Sequence, residues 1–222
     1  DVCSSDLILY SDNNNDSIKQ HPIFDLIRIL GRGLQSEYMR YLVYYGNKDT
    51  GDVPSLDWQF IGFPNEKCIH IDNNINKYLK VSDVIKEVKS DKKINLSTDL
   101  ILPWPWKRER LFDCMLNIGE GRKWGSWKQD FRNHDVVVWL PIGLAWVWSG
   151  NHSITMGIIQ GGELVPKYYH DMSELYNYVR SDGKNFIRIE DNVILSAVNN
   201  VEFAAIFEIG RLLKDKNISF ID

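Results

Sequence analysis

Val136-Val-Val-Trp-Leu-Pro-Ile-Gly-Leu-Ala-Trp-Val-Trp-Ser-Gly-Asn-His-Ser153 is the stretch from which the rest of the chain can be read. Its first five residues are apolar without alternation, the pattern of a strand covered on both faces. Pro141-Ile142-Gly143 turns the chain, Leu144 to Trp148 predicts a second strand, and the Gly150 turn ends it. A short helix is expected from Ser153 to Gln160, stopping at Gly161-Gly162, and Leu164 to Tyr169 is expected to return as a strand. This alternation predicts a mixed α/β (α+β) domain built on a small sheet.

Upstream, Leu100-Ile-Leu-Pro103 reads as a strand, and a helix from about Lys107 to Ile118 runs into the glycine-rich segment 119–125. Downstream, a helix from about Ser173 to Arg180 carries an Asp171-x-x-Glu174 capping pattern. A final amphipathic helix spans about Asn200 to Leu213. Near the N-terminus, Pro22 suits a first helical turn, and Ile23, Phe24, Ile27 and Leu30 fall at helical spacing. Gly31-Arg32-Gly33 is expected to break that helix. A second helix, from near Ser36 through Tyr38, Tyr41, Leu42 and Tyr45 to a stop at Gly46, would complete a helical hairpin. Residues 47–66 read as a long irregular connection with a short strand at Trp58 to Ile61. Lys67 to Ile71 reads as a further strand, and Ser82 to Ser90 as a short helix capped by Ser82 or Asp83. The chain thus divides into a helical N-terminal extension with short strands (8–96) and a core domain with C-terminal helices (97–222), expected to form one compact unit. No repeat of fixed period is present.

The chain has 222 residues, 44% of them hydrophobic and 25% charged, which suits a globular domain with a substantial core. A formal charge of −4 provides no overall field for a polyanion, so any such contact needs a local patch. No apolar run reaches the roughly 18 residues of a bilayer span, and no basic-then-apolar signal opens the sequence; no membrane partner and a cytoplasmic location are expected. Asp1 to Leu7 reads as translated sequencing-adapter sequence, which would place the native N-terminus outside this chain and remove Cys3 from consideration. Cys68 and Cys114 lack C-x-x-C spacing and are expected to be reduced thiols.

Gly150 is expected where a hydrophobic strand ends and a helix begins, so the first helical N–H groups lack partners and can receive an anion. Glycine lets a ligand approach the backbone, and Asn151 and His152 add an amide and an imidazole. Phosphate is the natural guest. The same residues also make an ordinary capped turn, with Ser149, Asn151 or Ser153 as the cap.

Over about residues 97–180 the sequence resembles the ParB/sulfiredoxin superfamily. The resemblance rests on the order of Ile118-Gly119, Pro141-Ile142, Trp146-Val-Trp148, Gly150-Asn-His152, Gly161-Gly162 and Val165-Pro166. It implies a protein of a bacterial or phage system whose Gly150 box holds nucleotide phosphates, as a nucleoside triphosphate with Mg, with phosphoryl transfer or hydrolysis also in the family's range. On that reading Gly150, Asn151, His152 and Ser153 bind phosphate, and His152 bonds or protonates an oxygen. The arginine expected after the histidine is Ser153 here, so Lys107, Arg108 or Arg110 would have to supply the cation.

A second constellation is the basic, aromatic stretch from Trp104 to Arg132. Trp104, Trp106, Trp124 and Trp127 are interleaved with Lys107, Arg122, Lys123 and Lys128, a composition suited to stacking on unpaired bases. It makes a non-catalytic nucleic-acid or protein interaction module the alternative function; tryptophans folded back onto the domain would explain the same residues. Asp130, His134 and Asp135 match no metal motif. No G-x-S-x-G, Walker-type or H-E-x-x-H pattern occurs, and Gly31-Arg-Gly33 lacks the preceding strand of a dinucleotide loop.

Overall fold

The computed structural model describes residues 20–45, 64, 66–72 and 77–222. The expected adapter segment, the strand at Trp58 to Ile61 and nearly all of the connection 47–66 lie outside the described residues. Helix α1 (Ile23–Tyr45) is continuous, so the expected break at Gly31-Arg32-Gly33 and the resulting hairpin do not occur. Gly31 packs on the sheet, where an added Cβ would stand 2.1 Å from Leu100 Cδ2, while Gly33 faces open space. A glycine inside a helix costs about 1 kcal/mol. Burial of Ile23, Phe24, Ile27, Leu34, Tyr38 and Leu42 on one face outweighs that cost.

Strands β1 (His70–Asp72) and β2 (Lys77–Leu79) form an antiparallel pair, slightly later than the strand expected over Lys67 to Ile71. The helix expected over Ser82 to Ser90 is a single turn, α2 (Val81–Val84), closed by the Lys80 N–H donating to Asp83 Oδ2 at 2.8 Å. Lys86–Val88 then leaves as β3, drawn into the sheet by backbone pairing. Next come β4 (Ile94–Asn95), β5 (Ile101–Leu102), α3 (Arg108–Asn117), β6 (Val136–Leu140), β7 (Leu144–Val147) and α4 (Asn151–Gln160).

The strand expected from Leu164 to Tyr169 is two strands. β8 (Glu163–Leu164) pairs with β4, and β9 (Tyr168–Asp171) joins the main sheet. Pro166 lies between them and has no N–H to offer a ladder. The helix expected from Ser173 to Arg180 shrinks to a 3-10 segment, Ser173–Asn177, entered through a Ser173 N–H bond to Asp171 Oδ1 at 2.9 Å. Val179–Ser181 (β10) continues with β11 (Asn185–Arg188) and β12 (Ile194–Ala197) as an antiparallel meander, an element absent from the sequence reading. Helix α5 (Val201–Asp215) follows, capped by the Asn200 side-chain oxygen accepting from the Phe203 N–H at 2.7 Å.

The fold is mixed α/β, and its central sheet has the order β3-β9-β6-β7-β5. β6 is antiparallel to β7 and parallel to β9, β7 is parallel to β5, and β3 is antiparallel to β9. All five β6 residues and all four of β7 are buried, as a strand covered on both faces requires. Helix α1 packs against α5, and α3 against α4. One hydrophobic core runs from Ile23 to Phe220, so the N-terminal helix shares it with the sheet.

The two α1 glycines separate helix propensity from packing. Gly33→Ala should raise stability by about 0.5–1 kcal/mol, because it adds helix propensity in open space. Gly31→Ala should lower the melting temperature by forcing Leu100 aside. Thermal unfolding of both variants checks this.

Candidate functional site

Strand β7 delivers the chain to Gly150, whose φ of 84° is left-handed and whose added Cβ would stand 2.4 Å from His134 Cδ2. Both constraints demand glycine. Helix α4 starts at the next residue, two earlier than expected, and its first intrahelical bond is Ile154 N–H to Gly150 C=O at 2.9 Å. The N–H groups of Asn151, His152 and Ser153 therefore stand at the open end of the helix, where its dipole favours negative charge. These residues line a cleft of about 220 Å³ together with Ser149, Asn133, Trp106, Arg110, Asp113 and Cys114. Arg110, Asp113 and Cys114 reach it from α3, where spacings of three and four set side chains on one helix face.

Asn151 is 1% exposed, and its Oδ1 accepts the Trp104 N–H at 2.8 Å. Its Nδ2 is buried without a hydrogen-bond partner among the described residues. An amide buried with one end unpaired costs about 1–3 kcal/mol. His152 is 8% exposed, and its Nε2 accepts the Lys107 N–H at 3.2 Å, leaving the ring proton on Nδ1. Trp106 packs edge-on against the ring, with centroids 4.7 Å apart. Burial first, then the Arg110 charge, lowers the His152 pKa to about 4. The imidazole is neutral at pH 7.

Ser153 is held by His134, a residue that matches no metal motif and lies outside the predicted box. The Asp130 N–H donates to His134 Nδ1 at 3.0 Å, so His134 Nε2 carries the proton and donates to Ser153 Oγ at 3.1 Å. His134 thus cannot act as a base toward Ser153, whose own hydroxyl proton is left for another acceptor. Trp127 stacks on His134 at 5.3 Å and 9°. Burial lowers the His134 pKa and raises that of the Cys114 thiol, leaving a neutral imidazole and a protonated sulfur. Arg110 lies over the Trp106 ring at 5.9 Å. Asp113, at the rim, accepts from Asn117 Nδ2 at 2.9 Å and is the one carboxylate lining the cleft.

The structure gathers Gly150, Asn151, His152, Ser153 and Arg110 at the cleft. Arg108 is not among the residues lining it, and Lys107 joins through its backbone N–H while its side chain is exposed. The basic, aromatic stretch separates. Trp127 is buried, Trp104 donates its indole N–H to Val147 C=O at 2.7 Å, and Trp106 belongs to the cleft. Arg122 is spent on the C-terminus of α3, donating to Met115 C=O at 2.7 Å and Ile118 C=O at 2.6 Å. Trp124, 53% exposed, stays outside with the exposed Lys123 and Lys128. Asp130 and His134 are joined, but through a backbone amide, and Asp135 pairs with Lys167 at 2.9 Å. Among the described residues no three of His, Cys, Asp and Glu gather as metal ligands. Likewise, no helix of the described residues is long and apolar enough to cross a membrane.

The sequence reading missed a larger cavity, of about 390 Å³, on one face of the central sheet. Its signal was the alternation Trp146-x-Trp148 beside Trp139 and His170.

A model of a family described as being of unknown function, DUF6710, matches residues 3–220, and the chain belongs to that family. No curated protein and no solved structure matches it.

The depressed His152 pKa has a consequence for stability. The unfolded imidazole titrates near 6.5 and the folded one at about 4. Between those values the unfolded chain binds more protons, so stability falls as pH drops through this window. His152→Gln should remove about 3 kcal/mol of that acid-side loss. Denaturant unfolding at several pH values, with the His152 titration followed by NMR, checks both the slope and the midpoint.

Proposed function

We propose that this member of a family of unknown function binds a nucleotide or another phosphate-bearing ligand in the cleft at the Gly150 turn. The carrying observation is the buried, unpaired Asn151 Nδ2 at a cleft lined mainly by donors, namely the α4 N–H groups, His152 Nδ1–H, the Ser153 hydroxyl and the Arg110 guanidinium, with the Asp113 carboxylate as the one acidic group at its rim. A set of donors at a helix N-terminus favours an anion with several oxygens. Arg110 supplies from α3 the cation that Ser153 does not. The succession α3, β6, Pro141-Ile142, β7, Gly150 and α4 is the order that the resemblance to the ParB/sulfiredoxin superfamily calls for, and it supports the same reading.

Binding is favoured over turnover. A neutral His152 with Nε2 already occupied donates a hydrogen bond through Nδ1 but has no imidazolium proton to transfer. A nucleoside triphosphate would bring Mg²⁺ on its own phosphates, with Asp113 as the nearby carboxylate.

Thermal stabilisation against inorganic phosphate and a panel of nucleotides tests this reading. A ligand at a hundredfold excess over its Kd should stabilise the wild type by about 2.7 kcal/mol. Arg110→Ala should weaken binding about tenfold or more, as loss of a charged hydrogen bond does, and His152→Ala should also weaken it. Absence of any shift, or shifts unchanged in both variants, refutes phosphate binding.

One observation favours the nucleic-acid alternative: Trp124 is exposed beside the exposed Lys123 and Lys128. On that reading Trp124→Ala should cost about 1–3 kcal/mol of single-strand affinity. Lys123→Glu should flatten its salt dependence. Fluorescence anisotropy with a labelled oligonucleotide measures both.

A further inference from the structure

The larger cavity follows from strand register. Side chains directly opposite one another in a ladder share a face, and the face repeats every second residue. Glu87 of β3 lies opposite His170 of β9, and His170 lies opposite Trp139 of β6. On the same face Val137 lies opposite Trp146 of β7, and Trp146 lies opposite Leu102 of β5. Two residues beyond those strand positions, Trp148 and Trp104 extend the same side. Four indoles, an imidazole and a carboxylate from all five strands or their ends therefore converge, and they line the cavity.

The walls are preset. Trp104 is fixed by its indole N–H bond to Val147 C=O, and Trp139 and Trp146 pack with centroids 5.2 Å apart. Both are nearly fully buried, whereas Trp148 is 54% exposed and stands 6.2 Å from His170 at the mouth. No lysine or arginine lines the cavity. Burial holds His170 below its ordinary pKa, so the imidazole is uncharged at neutral pH. Glu87 is exposed at the rim and has no ion-pair partner among the described residues. Indole faces carry the negative end of the ring quadrupole. The cavity is therefore largely apolar in its walls, with the Trp146 Nε1–H buried and unpartnered among the described residues, and the Glu87 carboxylate is the one acidic group lining it. An anion is repelled there, and a primary ammonium must give up strong hydration. An alkylated ammonium, weakly hydrated and diffusely charged, meets both conditions.

We infer that the cavity lined by Trp104, Trp139, Trp146, Trp148 and Glu87 binds an alkylated ammonium group. The inference is independent of the phosphate reading. Trp104 and Trp106 stand 5.6 Å apart, yet the first lines this cavity and the second lines the Gly150 cleft. The group could belong to a free small molecule or to a methylated lysine side chain of a peptide.

Isothermal titration of the full chain with choline, and with 3,3-dimethylbutanol as its uncharged carbon isostere, tests the charge requirement without any substitution. Choline should bind about tenfold or more tightly than the isostere, as a desolvated cation on several rings does. Trp148→Leu and Glu87→Gln, both at the rim, should each weaken choline about fivefold, and Arg110→Ala should leave it unchanged. A trimethyl-lysine peptide that binds more tightly than choline, and more tightly than its unmethylated form, identifies a protein source. Choline equal to or tighter than that peptide identifies a small molecule, and either result supports the site. Equal binding of choline and its isostere, or no choline binding at concentrations up to about 10 mM, overturns the inference.

Discussion

Burial of β6 on both faces is the constraint on which the rest of this molecule depends. Val136 to Leu140 has no solvent side, so its backbone must pair on both edges and its side chains must be covered above and below. β7 and β9 satisfy the edges. A slip of one residue in either pairing would exchange the faces of every side chain. Register is therefore strongly specified, and the two candidate sites inherit it: the end of β7 aims Gly150 into α4, and the alternation along β6, β7 and β9 assembles the tryptophan cavity.

The Gly150 cleft shows how a loop can be held to that frame by very few bonds. Two backbone amides from the segment entering α3, those of Trp104 and Lys107, end on the side chains of Asn151 and His152. These bonds set the amide orientation and the imidazole tautomer, so Asn151 Nδ2 and His152 Nδ1–H are the donors left over. His134 does the same for Ser153 from another loop. Each support occupies an acceptor of the site and leaves a donor, so the helix end presents mainly donors although the chain as a whole carries a net charge of −4.

Local chemistry was legible where it was unopposed. The apolar run of β6, the Pro141 turn, the glycine at 150 and the amphipathic run from about Asn200 to Leu213 are short-range signals, and each element they announce is present. Reading failed where tertiary packing overrode propensity. Gly31 looks like a helix breaker but is a contact point for Leu100, and Lys86–Val88 continues a helical pattern but is taken by the edge of β9. Ser173 to Arg180 carries a capping pattern, yet its last residues are drawn into a meander whose partners follow in sequence. Similarly, the tryptophans grouped by sequence proximity part company, since Trp127 covers His134, Trp106 serves the cleft and only Trp124 stays outside.

By itself, the sequence determined the mixed α/β class, the central strands and the Gly150 turn. These depend on runs of hydrophobicity and on backbone angles that individual residues permit or forbid. Only the tertiary structure decided that Arg110 rather than Arg108 faces the cleft, and that His152 is neutral with one nitrogen already bonded. It also decided that Trp104, Trp139, Trp146 and Trp148 share a wall with Glu87. Those facts depend on helix rotation, burial and strand register, which arise from contacts between segments far apart along the chain.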